Sequence, residues 1–438
     1  MKPSLKKALA SASDTRALEI GLNILDRVPQ LIISQFEGKK AIVVCDLTTY
    51  EVAGKKVHEY LEKVGLAYGE PFVYNEARPY AEFGNVVLLE SALKKHGAIP
   101  IAVGSGSIND ITKLAAARAN RQYMCVATAA SMDGYTAFGA SITFEGSKQT
   151  FSCPAPQVLL ADIEIIRNAP PSMTASGYAD LFAKVTAGAD WIIADALGIE
   201  PIDTTAWSIV QDELKEALAD PEGARQGEIE AITRLIEGLI LGGFAMQWAK
   251  SSRPASGAEH QFSHLWNMEH HVYNGETPSH GFQVGVATLA VTRFYEQLLQ
   301  ISVDEIDAVV CSAQWPTWDE IKKRAEERFC NTDFIDTAIS QTKAKYITKA
   351  ELEVQIEKIK EIWPEMKMNL QKQLVPSEEA RQCLVAVGAP VDSIEIGISK
   401  ERLKESFYRA QFIRSRFTIL DLALRLGQLT TSLNKMFD

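Results

Sequence analysis

Residues 100–119, PIAVGSGSINDITKLAAARA, predict a buried β-strand, a turn of small residues and an α-helix in direct succession. The apolar run 100–104 is typical of a strand in a parallel sheet, and residues 108–119 have helical periodicity. Glycine and serine between the two allow backbone N–H groups to approach an anion at the positive end of the helix. The stretch therefore indicates an α/β fold with a phosphate-binding turn, although an ordinary turn would use the same residues. It does not match the GxGxxG fingerprint of the common dinucleotide fold.

The alternation of strands and helices extends on both sides of this stretch. The apolar runs and helical periods predict strands over 39–46, 71–75, 123–128 and 157–162, helices over 50–65 and 85–97, and a hairpin over 141–151. Strands that alternate with helices form a parallel sheet covered by helices on both faces. The first part of the chain is therefore predicted to be a nucleotide-binding α/β domain.

The pattern changes near residue 169, after which almost every segment has helical periodicity and few β-branched runs. This predicts two domains with a cleft between them, an α/β domain over 1–168 and a helical domain over 169–438. The motifs and the resemblance described below imply that the first binds a dinucleotide, that the second binds a metal and that the active site lies in the cleft. Within the second domain, the charged stretch 349–374 is interpreted as a pair of amphipathic helices interrupted at Pro364.

Composition excludes several classes of function. The chain has 438 residues and a net charge of -11, which argues against nucleic-acid binding as its main task. Its six cysteines are scattered without a CxxC pair, so neither a disulfide framework nor a thiolate zinc site is expected. No apolar run reaches the ~18 residues of a membrane span, and the N-terminus lacks the apolar core of a signal peptide. A cytoplasmic protein with no membrane partner is expected.

Histidines indicate a metal site, since five of the seven lie between residues 260 and 280. His260 and His264 are four residues apart and share one face of a helix, and His280 follows a Pro-Ser turn. Asp180 lies in a small, apolar helical segment, where an aspartate is rarely buried unless it is paired or bound to a metal. One carboxylate and two imidazoles suit Zn²⁺, Fe²⁺ or Ni²⁺. Ordinary packed or exposed histidines are the alternative.

Three further residues are candidates for ligand contacts, each with a structural alternative. Asp133 lies in the small-residue loop ATAASMDGYTAFGAS (127–141) and could contact a ligand or shape a turn. Asp46 ends the first predicted strand and could accept a hydrogen bond from a coenzyme ribose or cap the next helix. Arg253 lies seven residues before His260, where its planar fork could bind a substrate phosphate or brace a turn.

Five motifs together resemble the glycerol-1-phosphate dehydrogenases, and most closely their bacterial, arabinose-operon-associated branch. In chain order they are GSGSIND (104–110), TAASMDG (128–134), GYADLFAK (177–184), SSRPASGAEHQFSH (251–264) and SHGFQVGVAT (279–288). That family belongs to the superfamily of iron-containing alcohol dehydrogenases and dehydroquinate synthases. The resemblance implies a dehydroquinate synthase-like fold, with an α/β N-terminal nucleotide-binding domain and an all-α C-terminal metal-binding domain.

The resemblance also implies roles for individual residues. The metal ligands would be Asp180, His260 and His280, and the residues in contact with substrate or reacting groups would be Asp133, Asp180 and His264. The coenzyme would be bound by the residues at two strand ends, namely Gly106, Ser107, Ile108, Asn109, Asp110, Thr128, Ala129, Ala130 and Ser131. Asp46 and Arg253 remain candidates from their positions alone.

The implied activity is the NAD(P)H-dependent reduction of dihydroxyacetone phosphate to sn-glycerol 1-phosphate and its reverse, within phospholipid metabolism. One divalent metal, zinc or else nickel or iron, would act as a Lewis acid. A homo-oligomer that acts on a phosphorylated small molecule is expected. Two alternatives stay open at this point. One is a dehydrogenase for a glycerol-type polyol, and the other is a lyase or cyclase of the dehydroquinate synthase kind that uses NAD transiently.

Overall fold

The computed structural model describes residues 2–76, 79–145 and 147–437. The chain forms two compact units. One comprises Met1–Leu181, Thr205–Ser252 and Ala386–Gly388, and the other comprises Phe182–Thr204, Arg253–Val385 and Ala389–Asp438. The first unit contains the parallel sheet, and the described residues of the second are helical or irregular. The predicted fold class is therefore confirmed, while the exact boundary after residue 168 stays a prediction.

The strands form one parallel sheet and one hairpin. Their bounds are β1 Ala17–Gly21, β2 Ala41–Asp46, β3 Phe72–Tyr74, β4 Ile99–Gly104, β5 Met124–Ala127, β6 Ala140–Phe144, β7 Ser147–Phe151 and β8 Val158–Asp162. The parallel sheet has the order β1-β8-β5-β4-β2-β3, and β6 pairs with β7 in antiparallel fashion. Strands β2, β4, β5 and β8 are buried along their whole length, because helices cover both faces of a parallel sheet.

One edge strand is not predicted from the sequence. The strand β1, ALEIG, pairs in parallel with β8 and places Leu18 opposite Leu159. Only Leu18 is fully buried in it, and Glu19 interrupts the apolar run, so neither a continuous apolar run nor a clear alternation marks it. Its place in the sheet follows from pairing with a distant part of the chain.

Helices account for most of the remaining described residues. Their bounds are α1 Pro3–Ser11, α2 Val28–Gln35, α3 Leu47–Thr49, α4 Lys55–Lys63, α5 Phe83–Leu93, α6 Gly106–Arg118, α7 Ile163–Arg167, α8 Pro171–Phe182, α9 Lys184–Ala196, α10 Thr204–Gln211, α11 Leu214–Ala217, α12 Pro221–Gln226, α13 Ile229–Ala249, α14 Ala258–Met268, α15 His280–Leu298, α16 Ala308–Gln314, α17 Trp318–Phe329, α18 Ile335–Lys345, α19 Lys349–Gln373, α20 Ser377–Val387, α21 Lys400–Arg409, α22 Ile419–Arg425 and α23 Leu429–Phe437. Short 3₁₀ turns lie at Leu25–Arg27, Val303–Glu305, Ser393–Ile396 and Ala410–Phe412, and a π-helical turn lies at Tyr50–Gly54.

The predicted break at Pro364 is wrong, because α19 is one helix of 25 residues with Pro364 inside it. A proline removes one backbone hydrogen bond from a helix and crowds the preceding turn. Here packing outweighs that effect. A stripe of buried side chains runs along both halves of α19 at intervals of three and four residues, namely Leu352, Ile356, Ile359, Trp363, Met366 and Leu370.

The helical unit has its own apolar core. Buried aromatic side chains from α14, α15, α17 and α21 meet there, including Phe262, Trp266, Phe294, Phe329 and Phe407. Phe407 contacts both Phe262 and Phe294, with ring centroids 4.8 and 5.1 Å apart. This packing fixes α14 and α15, which carry the clustered histidines. Within the part of the chain that the structure describes, no helix is long and apolar enough to cross a membrane.

Candidate active site

Three of the five clustered histidines lie together. His260 and His264 lie one turn apart on α14, and His280 is the first residue of α15. The ring centroids of His260 and His280 are 5.3 Å apart, and the His264 ring lies 6.4 Å from each of them. The i, i+4 spacing explains the pair on α14. The side-chain cap that Ser279 gives to the Phe282 N–H fixes the start of α15, and with it the position of His280.

The other two histidines of the window have different partners. His271 is buried, with Nε2 2.7 Å from the Ile396 carbonyl and Nδ1 2.8 Å from the Arg402 guanidinium. His270 is exposed, and its Nε2 lies 3.5 Å from an Asp333 carboxylate oxygen. Of the five histidines in this window, only His260, His264 and His280 therefore form a cluster.

Glu259 orients the His260 ring. Its buried carboxylate lies 2.7 Å from His260 Nδ1 and accepts hydrogen bonds from the Gly257 N–H and the Thr186 hydroxyl. Burial raises the pKa of Glu259, but these hydrogen bonds, chiefly that with His260, together hold the pKa below its ordinary value. An ionised carboxylate only accepts, so the imidazole carries its proton on Nδ1 and presents the Nε2 lone pair on the other side. That is the form of histidine that binds a metal.

Asp190 holds the start of α14 in place. Its buried carboxylate accepts hydrogen bonds from the Ala258 N–H at 2.7 Å, the Ile419 N–H at 2.8 Å and the Tyr295 hydroxyl at 2.6 Å. Burial, together with the nearby charge of Glu259, raises the pKa of Asp190 to about 7. The sequence contained the signal for this residue, since Asp190 lies in the same small, apolar segment as Asp180.

Asp180 lies on α8, which packs unusually closely on the loop after β5. A Cβ atom at Gly177 would come within 2.0 Å of the Ala130 carbonyl oxygen, so only glycine allows this approach. One turn further along α8, the Asp180 carboxylate accepts a hydrogen bond from the Asp133 backbone N–H at 3.1 Å. Asp180 is completely buried.

Asp180, His260 and His280 are the three predicted metal ligands. Each offers one ligand atom, and these three atoms lie within 4.8 Å of one another. One carboxylate oxygen and two imidazole nitrogens fit Zn²⁺, Fe²⁺ or Ni²⁺ and would leave coordination positions open for a substrate. Ser263 supports His280, with its hydroxyl oxygen 3.2 Å from Nδ1 of that ring. The residue types and positions therefore suit a catalytic rather than a closed structural site.

Lys113 anchors the loop that carries Asp133. Its buried ammonium group donates to the carbonyl oxygens of Gly134, Ala137 and Gly139, each at 3.0 Å. Lys113 belongs to α6, so the helix that begins at the predicted phosphate-binding turn also fixes the course of the second loop. Sequence reasoning missed this lysine, because only the folded chain shows that its charge is buried.

The predicted coenzyme residues lie at the carboxyl ends of β4 and β5. Gly106 and Ser107 are partly exposed in the first turn of α6, where Ser105 makes no side-chain cap. Ile108 and Asn109 are buried, and Asp110 accepts a hydrogen bond from the Ser141 N–H. Thr128, Ala129, Ala130 and Ser131 follow β5 directly. The backbone of this helix start, and not the side chains of residues 108–110, is thus open to an anion.

Asp46 is the N-cap of α3. Its carboxylate accepts a hydrogen bond from the Thr49 N–H at 2.7 Å, and the Thr49 hydroxyl accepts one from the Asp46 N–H. Of the two interpretations of this residue, helix capping is present in the structure. A contact with a coenzyme ribose stays a prediction.

Arg253 is buried and its guanidinium bonds to the protein itself. It donates to the backbone carbonyls of Asp190 at 2.9 Å and Phe417 at 3.1 Å, and its Nε lies 3.2 Å from a Glu200 carboxylate oxygen. Only 2% of the residue is exposed. These contacts favour the bracing interpretation over the binding of a substrate phosphate.

We expect Arg253→Ala to lower the free energy of unfolding by roughly 3 kcal/mol, because two buried carbonyls lose a charged donor. Chemical denaturation measures this change. Arg293→Ala, which removes an exposed arginine from α15, is the matched control and should have little effect. Unchanged stability combined with weaker binding of a phosphorylated substrate would instead support the phosphate-binding interpretation.

Comparisons with known proteins identify the family of this chain. Residues 19–170 match the family model of iron-containing alcohol dehydrogenases. The chain is 32% identical over 289 residues to glycerol-1-phosphate dehydrogenase (NAD(P)+) of Bacillus licheniformis, a match that covers 66% of this chain and 72% of the relative. It is 27% identical over 385 residues to the Geobacillus thermodenitrificans protein of the same name, covering 87% and 86%.

A solved structure shows the same fold at low identity. The crystal structure of a probable glycerol dehydrogenase from Sinorhizobium meliloti superposes with a TM-score of 0.61 at 13% identity and covers 97% of each chain. The family match over residues 19–170 is to a dehydrogenase of the iron-containing alcohol dehydrogenase class, and the fold agrees with it. Within that class, the chain belongs to the glycerol-1-phosphate dehydrogenase family.

Proposed function

We propose that this protein is an NAD(P)-linked sn-glycerol-1-phosphate dehydrogenase that reduces dihydroxyacetone phosphate and catalyses the reverse oxidation. The observation that carries the proposal is the group of Asp180, His260 and His280 in a chain 32% identical to a protein of that activity. Phospholipid metabolism is the expected use of the product.

Asp180, His260 and His280 would hold one divalent metal, with zinc, nickel and iron as candidates. When bound, such an ion supplies Lewis-acid stabilisation of the negative charge that develops on the substrate's carbonyl oxygen. Glu259 and Ser263 keep the imidazoles at a fixed angle, so that little reorganisation is needed when substrate binds. The nicotinamide coenzyme supplies the hydride.

Two side chains near the metal ligands have roles toward the substrate. Asp133 lies in the loop after β5 that α8 packs against, and its backbone N–H donates to Asp180. We assign it to substrate contact. His264 is partly exposed one turn after His260 and can hold a proton for transfer to the substrate oxygen, directly or through water.

The coenzyme would bind along the carboxyl ends of β4 and β5. The first turn of α6 has backbone N–H groups without helical partners, which suit the pyrophosphate. Gly106, Ser107, Ile108, Asn109 and Asp110 form this helix start. Thr128, Ala129, Ala130 and Ser131, which follow β5, are small enough for the nicotinamide half to lie close to the backbone.

A spectrophotometric assay tests the proposal. The purified protein should consume NADH at 340 nm with dihydroxyacetone phosphate, and much more slowly with dihydroxyacetone. Faster turnover of the unphosphorylated ketone would favour a polyol dehydrogenase. Conversion of a substrate without net NADH consumption would favour a lyase or cyclase.

Asp46 is expected to set a modest preference for NADH over NADPH, on the order of 1–2 kcal/mol at most, because its charge would repel a 2′-phosphate. Asp46→Asn tests this, since asparagine also caps helices and only the charge is lost. The kcat/KM with NADH divided by the kcat/KM with NADPH should fall in this variant. An unchanged ratio would restrict Asp46 to its capping role.

The cytoplasm and a homo-oligomeric state are also part of the proposal. All six cysteines are free, which suits a reducing compartment. Light scattering of the purified protein measures its oligomeric state.

A further inference from the structure

The helical unit contains a cavity that none of the proposed active-site residues line. Its volume is about 470 Å³, within the roughly 300–1,000 Å³ range of small-molecule sites. The walls come from α16, α17, α18, α21, α22 and α23, from the 3₁₀ turn Ala410–Phe412, and from the residues that follow α16, α18 and α22. This is a part of the chain to which the proposed reaction assigns no role.

The cavity is positively charged although the chain carries a net charge of -11. Its lining includes the cations Arg324, Arg328, Lys345 and Arg425, and one carboxylate, Asp421. Lys345 neutralises Asp421 through a buried ion pair of 2.6 Å. Net positive charge in a partly enclosed cavity favours an anionic ligand.

Two of these arginines have no carboxylate partner that would neutralise their charge in the described part of the chain. Among the side chains that the structure describes, no carboxylate lies at ion-pair distance from Arg324 or Arg425. Arg425 is positioned by Gln355 and the Lys345 carbonyl, and it stacks on Phe417 at 4.7 Å. Planar guanidinium groups suit phosphate oxygens.

Aromatic side chains also line the cavity. Trp315, Tyr346, Tyr408 and Phe412 line the cavity. The Trp315 indole N–H donates to the Ile347 carbonyl at 2.8 Å, so its orientation is fixed. Aromatic faces beside cations suit a planar ring that carries a phosphate. A nucleotide is the class of ligand that has both parts.

One stretch of chain connects the cavity to the segment that carries His260. Residues 411–425 contribute to its wall and also contact that segment. The Arg416 guanidinium donates to the Ser256 carbonyl at 2.8 Å, and the Phe417 carbonyl accepts from Arg253 at 3.1 Å. A ligand that shifts these residues would therefore act on the start of α14.

We propose that this cavity is a second ligand site, which binds a nucleotide phosphate and regulates the enzyme. The site lies outside the proposed coenzyme site and does not depend on the identity of the reaction's substrate.

Binding of AMP to the metal-loaded full chain, measured by calorimetry with saturating NADH present, tests the site. We expect Arg324→Gln to weaken AMP binding about tenfold, the usual effect of losing one charge-assisted hydrogen bond. Lys323→Gln removes the same charge from the adjacent position of α17, outside the cavity lining, and should leave binding unchanged. Equal effects of the two variants, or no AMP binding in the presence of NADH, would overturn the proposal.

Two further readouts locate the ligand and test its effect. Cys311 lines the cavity and Cys330 does not, so AMP should slow alkylation of Cys311 alone. AMP should also change kcat or the KM for the ketone in the wild type but not in Arg324→Gln. Inorganic phosphate that binds as tightly as AMP would contradict the aromatic part of the site. Binding without any kinetic change would overturn the regulatory role.

Discussion

Replacing His260 with alanine is expected to remove most of the bound divalent metal and to reduce activity more than about 100-fold. Loss of an outer partner of a metal ligand already reduces affinity or activity about 10–100-fold, and loss of the ligand itself should exceed that. His260 is 5% exposed and its orientation is fixed by Glu259, so alanine at this position removes a buried and oriented nitrogen. The same result is expected for Asp180→Ala and His280→Ala.

Elemental analysis of the purified variants gives metal per chain, and the assay at 340 nm gives activity. His270→Ala is the matched control, because His270 lies in the same window but is exposed and pairs with Asp333 instead. It should retain both metal and activity. Full metal occupancy in His260→Ala would disprove the ligand assignment.

The second large effect is expected for Glu259→Gln, which should weaken metal affinity about 10–100-fold. Glutamine has nearly the same shape but no negative charge. The His260 Nδ1–H then donates to a neutral acceptor, and the imidazole becomes a weaker base toward a metal. Competition with a chelator measures the dissociation constant of the metal.

The variant Asp190→Asn tests whether Glu259 acts by orienting the His260 ring or only by stabilising the fold. Asp190 binds the backbone of α14 and α22 and makes no contact with the His260 ring in the hydrogen bonds described. Its replacement should lower the free energy of unfolding while changing metal affinity less than Glu259→Gln does. If the two variants affect metal affinity equally, Glu259 is not specifically a positioning residue.

Much of the fold was predictable because its strands are locally marked. The runs that became β2, β4, β5 and β8 are buried along their whole length, and they are apolar except for the aspartates that end β2 and β8. By contrast, β1 depends on pairing with β8, and the continuity of α19 depends on the core that its buried stripe packs against. Both are tertiary effects that no local pattern contains.

For the candidate site, the sequence identified residue types better than supporting contacts. A histidine-rich window and one aspartate in an apolar helix predicted three residues whose ligand atoms lie close together in the structure, and their role as metal ligands stays a prediction. Glu259 was hidden because a glutamate at the start of a helix is ordinary. Arg253 was ambiguous because its environment, two backbone carbonyls from distant parts of the chain, is set only by folding.

The three hydrogen bonds of Lys113 affect which positions of the neighbouring loop can change in sequence during evolution. They go to backbone carbonyls, which every amino acid supplies, so these three contacts do not depend on the side chains of residues 134, 137 and 139, whereas Tyr135 and Thr136 hold the loop through their own buried hydroxyls. Substitutions in this loop could alter what a ligand meets while the scaffold keeps its shape. Lys113 itself cannot vary in the same way, because a replacement without a side-chain donor would remove all three hydrogen bonds.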